Sequence, residues 1–592
     1  MEDRMENKNE MTRSRKEAAD RADWWKSAVV YQIYPKSFQD SSGNGFGDIR
    51  GILSRLDYLT WLGVNVLWIC PIYRSPMVDN GYDIADYYHV DPSFGTDEDL
   101  DELIREAEKR GMKILMDLVV NHTSDQHAWF QEALKDPEGP YGKYYIFRKG
   151  KDGKAPDNLR SYFGGSAWEP VGRGDLYYFH AFAKEQPDLN WENEAVREEI
   201  SRMVNYWLDK GIGGFRIDAI GNIKKNLTRS YYEPDGEDGL AYAGAWIQNQ
   251  PGIEDFLREL DEKTFRPHNS MTVAEVGVPA ERLEDFIGEN GFFRMVFDFS
   301  YTDIDVPETA EWYVPTGWTV KDFRNNLFRS QLDTRKVGWA APYLENHDQP
   351  RSLNKYIPEE DIGYYSASML GTLFLCLRGT PFIYQGQEIG MTNIRMDSLA
   401  DYDDVASVDQ YHRAVQHGIS REEAMEALYR RSRDNGRIPM QWSGKRNAGF
   451  SENEKTWLKV NPNYLNINVE KEMEEPESVL HFYRKLIALR RESEYADTLV
   501  YGELVPICPE GGAESEDVIA YFREDAGRRL LVACNFGGKE QKLSLDAAVV
   551  NGADAALQMR EKQMILDNYG KTRWEKDGIL CLHPYECVIC EL

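Results

Sequence analysis

The chain has 592 residues, of which 42% are hydrophobic and 29% charged, a composition typical of a globular protein large enough for several domains. Lysine and arginine total 70 against 100 aspartate and glutamate, which gives a net charge of -30. An acidic surface repels phosphate backbones and anionic membranes, so nucleic acid and membrane lipid are disfavoured as partners.

The first 23 residues are polar and charged, without an apolar segment of signal-peptide or membrane-span length. We therefore expect residues 1–23 to form a flexible tail, and the protein to be cytoplasmic and monomeric. The seven cysteines are scattered and predict no disulfide framework. Cys587 and Cys590 form a Cys-x-x-Cys pair, but without a second pair or nearby histidines they are interpreted as part of a strand, not as metal ligands.

Eight short β-rich runs alternate with helical patterns along most of the chain. The runs are AVVYQIYP (28–35), VNVLWICPI (64–72), KILMDLVVN (113–121), GGFRIDAI (213–220), MTVAEV (271–276), FRMVFDF (293–299), VGWAAPYLENHD (337–348) and TPFIYQGQEIG (380–390). The helical patterns include residues 97–111 and 193–211. Strands that are apolar almost throughout are covered on both faces, so this alternation predicts an α/β fold, a (β/α)₈ TIM barrel.

Polar side chains lie late in these runs. They are Asp117, Asn121, Asp218, Glu275, His347, Asp348 and Glu388. The carboxyl ends of barrel strands converge on one face, where barrel enzymes place their active sites. Structural ion pairs would be scattered over both ends of the barrel, so the repeated late position favours catalysis.

The run GGFRIDAI poses a specific question, because side chains two apart on a strand share a face. Arg216 and Asp218 therefore point the same way inside an apolar run. A buried ion pair is costly unless it is well hydrogen-bonded. The pattern alone leaves a structural ion pair and a catalytic arrangement both open.

Ordered motifs resemble those of glycoside hydrolase family 13, the α-amylase family, from about Trp24 to the C-terminus. They are MDLVVNHTSD (116–125), QPDLN (186–190), GGFRIDAI (213–220), TVAEVG (272–277), LENHDQPR (344–351) and YQGQEIGMTN (384–393). QPDLN and RDNGRIPMQW (433–442) resemble the branch that holds oligo-1,6-glucosidases, bacterial α-glucosidases and sucrose isomerases.

The resemblance implies three catalytic residues: Asp218 as nucleophile, Glu275 as general acid/base, and Asp348 as a ligand of the sugar 2- and 3-hydroxyls. A retaining glycosidase needs its two carboxyl groups roughly 5 Å apart. Arg216 is expected to orient Asp218 and to lower its pKa, which keeps it ionised. Glu275 is expected to have a raised pKa, so that it can donate a proton.

The resemblance also implies substrate-binding residues. They are Asp79, Tyr82, His122, Phe163, Phe182, Arg216, Ala219, His347, Arg351 and Arg437. Tyr82 would be the aromatic floor under the glucose ring. Asp79 and Arg437 would bind the far hydroxyls of the terminal glucose and close the pocket. Ala219, which follows the nucleophile, resembles the alanine or threonine of α-1,4-specific relatives and not the valine of α-1,6-specific ones.

Four domain segments follow from the resemblance and the strand pattern. After the tail, residues 24–120 and 188–501 are predicted to form the catalytic barrel, domain A. Residues 121–187 are too long for a plain βα loop and are predicted to form an inserted domain B. Alternating strands beyond residue 501 predict an all-β C-terminal domain C, a β-sandwich over 502–592.

The loop DSSGNGFGD suggests a cation site, because oxygen-bearing residues alternate with glycines as in calcium loops. The candidate ligands are Asp40, Ser42, Asn44, Phe46 and Asp48. Ser42 and Asn44 replace stronger ligands of the family's loop, which predicts weaker binding. Any calcium or magnesium there would be structural, since the chemistry requires no cofactor.

These features predict an exo-acting retaining α-glucosidase that releases glucose from short α-1,4- or α-1,6-linked oligosaccharides. One alternative is a sucrose isomerase or other transglucosidase, although SYTDIDVPETAEWYVPTGW (300–318) lacks the Arg- and Asp-rich loop of those enzymes. A second alternative is a non-catalytic scaffold of the same fold, which the retained Asp218, Glu275 and Asp348 argue against.

Overall fold

The structure is a computed structural model that describes residues 23–236, 238–307, 311–507, 516–545, 563–575 and 579–592. The tail predicted over residues 1–23 lies outside these ranges except for its last residue, Asp23. Within the described residues no helix is both long and apolar enough to cross a membrane.

In the part of the chain that the structure describes, seven parallel strands form the central sheet. They are β1 Val30–Ile33, β2 Val66–Ile69, β3 Lys113–Val119, β4 Gly214–Asp218, β5 Met271–Ala274, β6 Met295–Val296 and β7 Phe382–Tyr384, in the spatial order β6-β5-β4-β3-β2-β1-β7. The register places Arg216 of β4 beside Asp117 of β3. The predicted parallel barrel is confirmed.

The seventh predicted run, residues 337–348, is not a strand in the described structure, so that part of the strand prediction was wrong. The carbonyls of Ala340 and Pro342 accept hydrogen bonds from the Thr380 and Phe382 N–H groups, each at 2.9 Å. Pro342 has no N–H to donate, which prevents a regular ladder on both sides. The segment nevertheless lies next to β7 and takes the barrel position that the seven regular strands leave open. We refer to it below as the seventh segment.

Helices cover the outside of the sheet, between successive strands and after β7. They are Ile49–Ser54, Leu56–Leu62, Asp97–Lys109, Glu194–Asp209, Ile253–Leu260, Leu283–Ile287, Val320–Val337, Tyr364–Leu375 and Val479–Glu492. The helix Asp97–Lys109 begins with a capping box, in which Thr96 and Asp99 each accept the other's backbone N–H. Asn193 caps Glu194–Asp209. Both predicted helical patterns are confirmed.

One wall above the barrel is built from two separate segments. Between β3 and Glu194–Asp209 lie the helix Ala128–Lys135 and an antiparallel sheet of Phe147–Lys149, Leu176–Phe179 and Trp168–Pro170. Leu159–Arg160 pairs in parallel with Ala241–Tyr242, which follows β4. Trp168 and Phe179 share an apolar cluster with Leu227 and Ile247. The insertion after β3 therefore packs as one body with residues that follow β4.

A helical excursion after β7 forms another side of the same face. Its helices are Val405–Gln416, Arg421–Arg431 and the short Asp434–Arg437. Trp312, in the loop before Val320–Val337, donates its backbone N–H to Gln410 at 3.0 Å. The excursion is thus tied to the loop that follows β6.

The C-terminal region is all-β in the residues described there, as predicted. One antiparallel sheet holds Glu503–Ile507, Val518–Glu524, Arg529–Asn535, Cys587–Glu591 and Gln563–Asp567, and a second holds Gln541–Ser544, Ile579–Leu582 and Arg573–Trp574. Cys587 packs in the barrel's core cluster and Cys590 in the cluster between strands of the C-terminal region. Residues three apart on a strand point to opposite faces, so this Cys-x-x-Cys pair does not converge.

Candidate active site

A cavity of about 380 Å³ lies at the carboxyl ends of the barrel strands. This volume is in the range of small-molecule sites. The predicted residues that line it are Asp79, Tyr82, His122, Phe163, Phe182, Asp218, Ala219, Glu275 and Asp348. The predicted residues Arg216, His347, Arg351 and Arg437 are buried and do not line it. Asp218 is the last residue of β4, and Glu275 directly follows β5.

The Arg216 guanidinium connects three carboxylates at the base of the cavity. Nη1 donates to Asp117 Oδ1 and Asp218 Oδ1, each at 2.7 Å, and Nη2 donates to Glu275 Oε2 at 2.6 Å. One planar cation thus holds Asp218 and Glu275 next to each other. The pair Arg216 and Asp218 is therefore part of a cluster that faces the cavity, and Asp117 anchors that cluster from below.

The charge state of Asp218 depends on its two neighbours. Burial raises the pKa of Asp218, Arg216 lowers it, and the Glu275 carboxylate raises it again, with a net shift well above the ordinary value. Arg216 lowers this pKa as expected, but in the free site burial and Glu275 outweigh it. Two adjacent carboxyl groups titrate as a pair, and one bound proton suffices to relieve their repulsion.

Asp348 is held ionised by three cationic or polar neighbours. Its Oδ1 accepts from Arg437 Nη2 at 2.8 Å and Arg433 Nη1 at 3.2 Å, and His347 Nε2 lies 3.0 Å from Oδ2. Burial alone raises the pKa of Asp348, but His347, Arg433 and Arg437 bring it well below the ordinary value. Arg437, which was predicted to touch the substrate, instead lies behind Asp348 and also donates to the His347 carbonyl at 2.9 Å.

Asp79 forms its ion pair with Arg433, which corrects the predicted pairing with Arg437. Arg433 Nη2 lies 3.3 Å from Asp79 Oδ1 and 2.6 Å from Asp404 Oδ1. Arg433 lines the cavity, whereas Arg437 does not. The two arginines lie one helical turn apart, so motif spacing alone did not distinguish which of them reaches Asp79.

Tyr82 and His122 lie beside Asp79. The Tyr82 ring stacks on His347 with centroids 5.2 Å apart and planes within 8°. Its hydroxyl lies 2.6 Å from His347 Nε2, which fixes the ring position. His122 Nε2 lies 2.9 Å from the Tyr82 carbonyl, and burial lowers the pKa of this imidazole. These contacts give the cavity a rigid aromatic and polar end.

Ala219 has a left-handed backbone, with φ 41° and ψ 31°. Its N–H donates to Glu275 Oε2 at 3.2 Å, and its methyl group lines the cavity. Non-glycine residues are uncommon in this conformation, and β-branched residues are outliers there. The sharp turn after β4 thus directs a backbone donor at Glu275.

Arg351, which was predicted to bind substrate, is fully buried away from the cavity. Nη1 contacts Glu345 Oε1 at 3.1 Å and the Gln385 carbonyl at 2.7 Å. The prediction for Arg351 was therefore wrong. Its guanidinium N–H groups connect the end of the seventh segment to the loop that follows β7.

Residues that the sequence did not indicate also line the cavity. They are Tyr162, Asn222, Tyr242, Gln248, Phe299, Asp303 and Arg433. Tyr162 packs on Phe182 at 5.0 Å and on Tyr242 at 5.5 Å between ring centroids. Tyr242 remains 46% exposed, and a Cβ on Gly244 would collide with its ring. The sequence signal for these lining residues was the aromatic content of the segment after β4. The aromatic residues there have no regular spacing, so the signal did not show which of them reach the cavity.

The loop of residues 40–48 uses its carboxylates for hydrogen bonds. Asp40 accepts from the N–H groups of Ser42, Gly43 and Gly45 at 2.7–3.0 Å, and Asp48 accepts from Ser41 and Gly51. The Asn44 side chain accepts from the Phe46 N–H at 2.8 Å. In the structure these oxygens accept hydrogen bonds from N–H donors. In the described ranges, no group of three or more His, Cys, Asp or Glu residues is arranged to hold a metal ion.

Comparison with known proteins gives consistent matches over nearly the whole chain. Residues 32–502 match the family model of the alpha amylase catalytic domain, and residues 518–589 match the alpha-amylase SusG C-terminal domain. The oligo-1,6-glucosidase of Halalkalibacterium halodurans is 42% identical over 95% of this chain and 98% of its own length.

Solved structures of two further enzymes share the fold. The trehalose-6-phosphate hydrolase of Bacillus licheniformis superposes with a TM-score of 0.86 at 38% identity, covering 96% of this chain and 99% of its own. The isomaltulose synthase of Klebsiella sp. LX3 superposes with a TM-score of 0.88 at 36% identity, with the same coverage. The fold therefore does not separate hydrolases from isomerases within this group.

Proposed function

The chain belongs to the α-amylase family of glycoside hydrolases, and we propose that it is an exo-acting retaining α-glucosidase. Its substrates are short α-1,4- or α-1,6-linked gluco-oligosaccharides, from which it releases glucose at the non-reducing end. The observation that carries this proposal is the bridge from Arg216 to both Asp218 and Glu275, at 2.7 and 2.6 Å.

The proposed mechanism assigns one role to each carboxyl group. Glu275 protonates the glycosidic oxygen while an Asp218 oxygen attacks the anomeric carbon, which forms a covalent glucosyl ester and releases the leaving sugar. Glu275 then takes a proton from water, whose oxygen displaces Asp218 from the same carbon. Two inversions give net retention. The short separation that retention requires is supported by the shared contact with one guanidinium.

The electrostatics of the pair support this division of labour. The first step needs Asp218 ionised and Glu275 protonated. Because the Glu275 charge raises the pKa of Asp218, placing the one proton on Glu275 lowers that pKa and leaves Arg216 to stabilise the Asp218 carboxylate. Asp348, whose pKa is well below the ordinary value, is proposed to bind the 2- and 3-hydroxyls as the ring flattens.

Exo-action is supported by the ion pair of Asp79 and Arg433 in the cavity wall, with Tyr82 and His122 beside it. We propose that this pair closes the glucose end of the cavity. A glucose seated on Tyr82 would use its far hydroxyls against Asp79 and Arg433. No further sugar then fits beyond it, and the leaving group extends toward Tyr242 at the mouth.

Hydrolysis by two carboxyl groups requires no cofactor. A structural calcium or magnesium ion in the loop of residues 40–48 stays a prediction. Such an ion would have to displace the N–H groups that Asp40 and Asp48 accept. The domain boundaries after residues 120, 187 and 501 likewise stay proposals.

Two activities of the structural relatives are less well supported. A phosphorylated disaccharide requires a cation available for its phosphate, whereas Arg433, the cation among the described lining residues, already contacts three carboxylates. Sucrose isomerisation is disfavoured because residues 300–318 contain no arginine. We therefore propose unphosphorylated oligosaccharides as substrates and water as the acceptor.

The test is proton NMR of the purified protein with maltose and with isomaltose, read before mutarotation. We expect α-glucose as the first product from at least one of the two. Asp218→Asn is expected to abolish the signal, whereas Asp255→Asn, an exposed aspartate on Ile253–Leu260, serves as the matched control. The reducing-end glucose leaves with its existing mixture of anomers, so stereochemistry is read in parallel from a nitrophenyl α-glucoside, whose sugar product comes from the cleaved bond alone. Early β-glucose from that substrate would refute retention, and turnover of sucrose to another disaccharide without net hydrolysis would favour the isomerase.

A further inference from the structure

A second cavity, of about 440 Å³, lies at the opposite end of the barrel, where β1, β6 and β7 begin. We call it the basal cavity. Its walls include Trp25 before β1, Arg294 before β6, Trp339 in the seventh segment and Arg378 before β7. None of the residues that line the active-site cavity contributes to it.

The basal cavity is cationic in a protein that is strongly anionic. Five basic side chains and two carboxylates line it, against a net charge of -30 for the whole chain. Three of these cations have acidic partners. Lys26 pairs with Asp23 at 2.5 Å, Arg335 with Glu503 at 3.1 Å, and Lys336 with Asp333 at 2.7 Å. The remaining two, Arg294 and Arg378, carry the excess charge.

Arg294 and Arg378 make no ion pair within 4 Å in the described part of the chain. Arg294 lies over the Trp25 ring at 4.9 Å, and its side chain has no hydrogen-bond acceptor among the described residues. Arg378 lies over Trp339 at 4.5 Å and donates one side-chain hydrogen bond, from Nη1 to the Gly338 carbonyl at 3.2 Å. Its Nε is buried without a partner. Burial lowers the pKa of both guanidinium groups.

The two aromatic supports are fixed to each other. Trp339 Nε1 donates to Thr380 Oγ1 at 3.0 Å, and that hydroxyl donates to the Trp25 carbonyl at 2.7 Å. A guanidinium stacked on an indole keeps its in-plane N–H groups available for other acceptors. Arg294 and Arg378 are thus held on rigid rings with unused donors inside a concave site.

We infer that the basal cavity binds a tetrahedral phosphate group, as inorganic phosphate or a phosphate monoester, between Arg294 and Arg378. The planar set of N–H donors on a guanidinium matches the oxygens of such an anion. Charge-assisted hydrogen bonds of this kind are stronger than hydrogen bonds between neutral groups. Stacking on tryptophan explains the ring contacts, but the carboxylates that act on these charges, Asp23 and Asp261 for Arg294 and Glu503 for Arg378, make no ion pair with them within 4 Å. Partly desolvated N–H groups without an acceptor are costly. A bound anion supplies the missing acceptors.

The experiment is isothermal titration calorimetry of the full chain with sodium phosphate, at an ionic strength held constant with sodium chloride. We expect saturable binding at one site per chain. The double substitution Arg294→Gln with Arg378→Gln should weaken it at least tenfold. Arg484→Gln is the matched control, because Arg484 also lies 4.5 Å over an indole, that of Trp61, but outside the basal cavity. It should leave the affinity unchanged.

Two further measurements keep the inference falsifiable. Arg378→Lys retains the charge but loses the planar set of guanidinium donors. If this variant folds and binds phosphate several-fold more weakly, the result supports the proposal even if the double variant unfolds. Titration with glucose 6-phosphate separates the two sources, since tighter binding than phosphate indicates a monoester site. Absence of saturable binding, equal affinity in all variants, or competition between phosphate and a nitrophenyl α-glucoside would each overturn the basal site.

Discussion

Linkage preference is tested most directly by Ala219→Val. Ala219 follows Asp218, the proposed nucleophile, and lines the cavity, and its backbone lies at φ 41° and ψ 31°. Valine adds two methyl groups on the leaving-group side. We expect the α-1,4-linked sugar, whose approach is more rigid, to collide with them, whereas the flexible α-1,6 bond lets the leaving sugar turn away.

Two separate free-energy costs follow from this geometry. The left-handed backbone costs about 1–2 kcal/mol for residues with a Cβ, and a β-branched side chain tolerates it least. That strain belongs to the folded enzyme and affects both substrates equally. Crowding of one methyl-sized contact discriminates between substrates by about 1–3 kcal/mol, or roughly 10- to 200-fold in kcat/KM. Only the second cost changes the ratio between substrates.

The assay is kcat/KM on maltose and on isomaltose for the wild type and for Ala219→Val. We expect the maltose value to fall at least tenfold more than the isomaltose value. Ala219→Gly is the control, because glycine accepts the left-handed backbone without strain and adds no methyl group. It should preserve the wild-type ratio or raise the share of maltose. An unchanged ratio in the valine variant, with lower values for both sugars, would show that only strain was introduced.

Four further outcomes are expected. Asp218→Asn should lose nearly all activity on every substrate, whereas Glu275→Gln should regain activity on an aryl glucoside with a good leaving group; equal losses in both variants on that substrate would contradict the assigned roles. In Glu275→Gln the acid limb of the residual kcat/KM profile should stay near that of the wild type, because Asp218 ionises beside a neutral residue 275 in both enzymes and only a charged Glu275 raises the pKa of Asp218; a displaced acid limb would refute this proton placement. Tyr242→Ala should raise KM for maltotriose several-fold while leaving the aryl glucoside nearly unaffected, and equal effects on both would remove Tyr242 from the leaving-group site. Arg433→Gln should lower kcat/KM more than tenfold and destabilise the fold by about 3–5 kcal/mol in chemical denaturation, since Asp79, Asp348 and Asp404 each lose one cationic contact, with the exposed Arg430→Gln as control.

The barrel and its catalytic edge were predictable because they depend on local patterns. Apolar runs of strand length specify the sheet, and a carboxylate at the end of a run must lie at the shared edge of a parallel barrel. Asp218 and Glu275 follow from that rule. The seventh strand was wrongly predicted because Pro342 removes a donor that apolar character alone does not reveal.

Contacts between loops were much less predictable. Arg433 and Arg437 both belong to the motif RDNGRIPMQW. Only the tertiary packing of the excursion after β7 decides which of them pairs with Asp79. Tyr242 reaches the cavity because its strand joins Leu159–Arg160, a pairing between residues about 80 positions apart. The loop of residues 40–48 shows a third limit, since the same alternation of oxygens suits a cation or a set of backbone N–H groups.

The pairing of Leu159–Arg160 with Ala241–Tyr242 makes two distant stretches of sequence one structural unit. Their shared apolar cluster, which includes Trp168 and Ile247, means that neither stretch keeps its shape without the other. A chimera that exchanges residues 121–187 for those of a relative must therefore take residues 222–247 from the same donor. We therefore expect the substrate range to change when both stretches of this wall are replaced together, and single-loop grafts to misfold there.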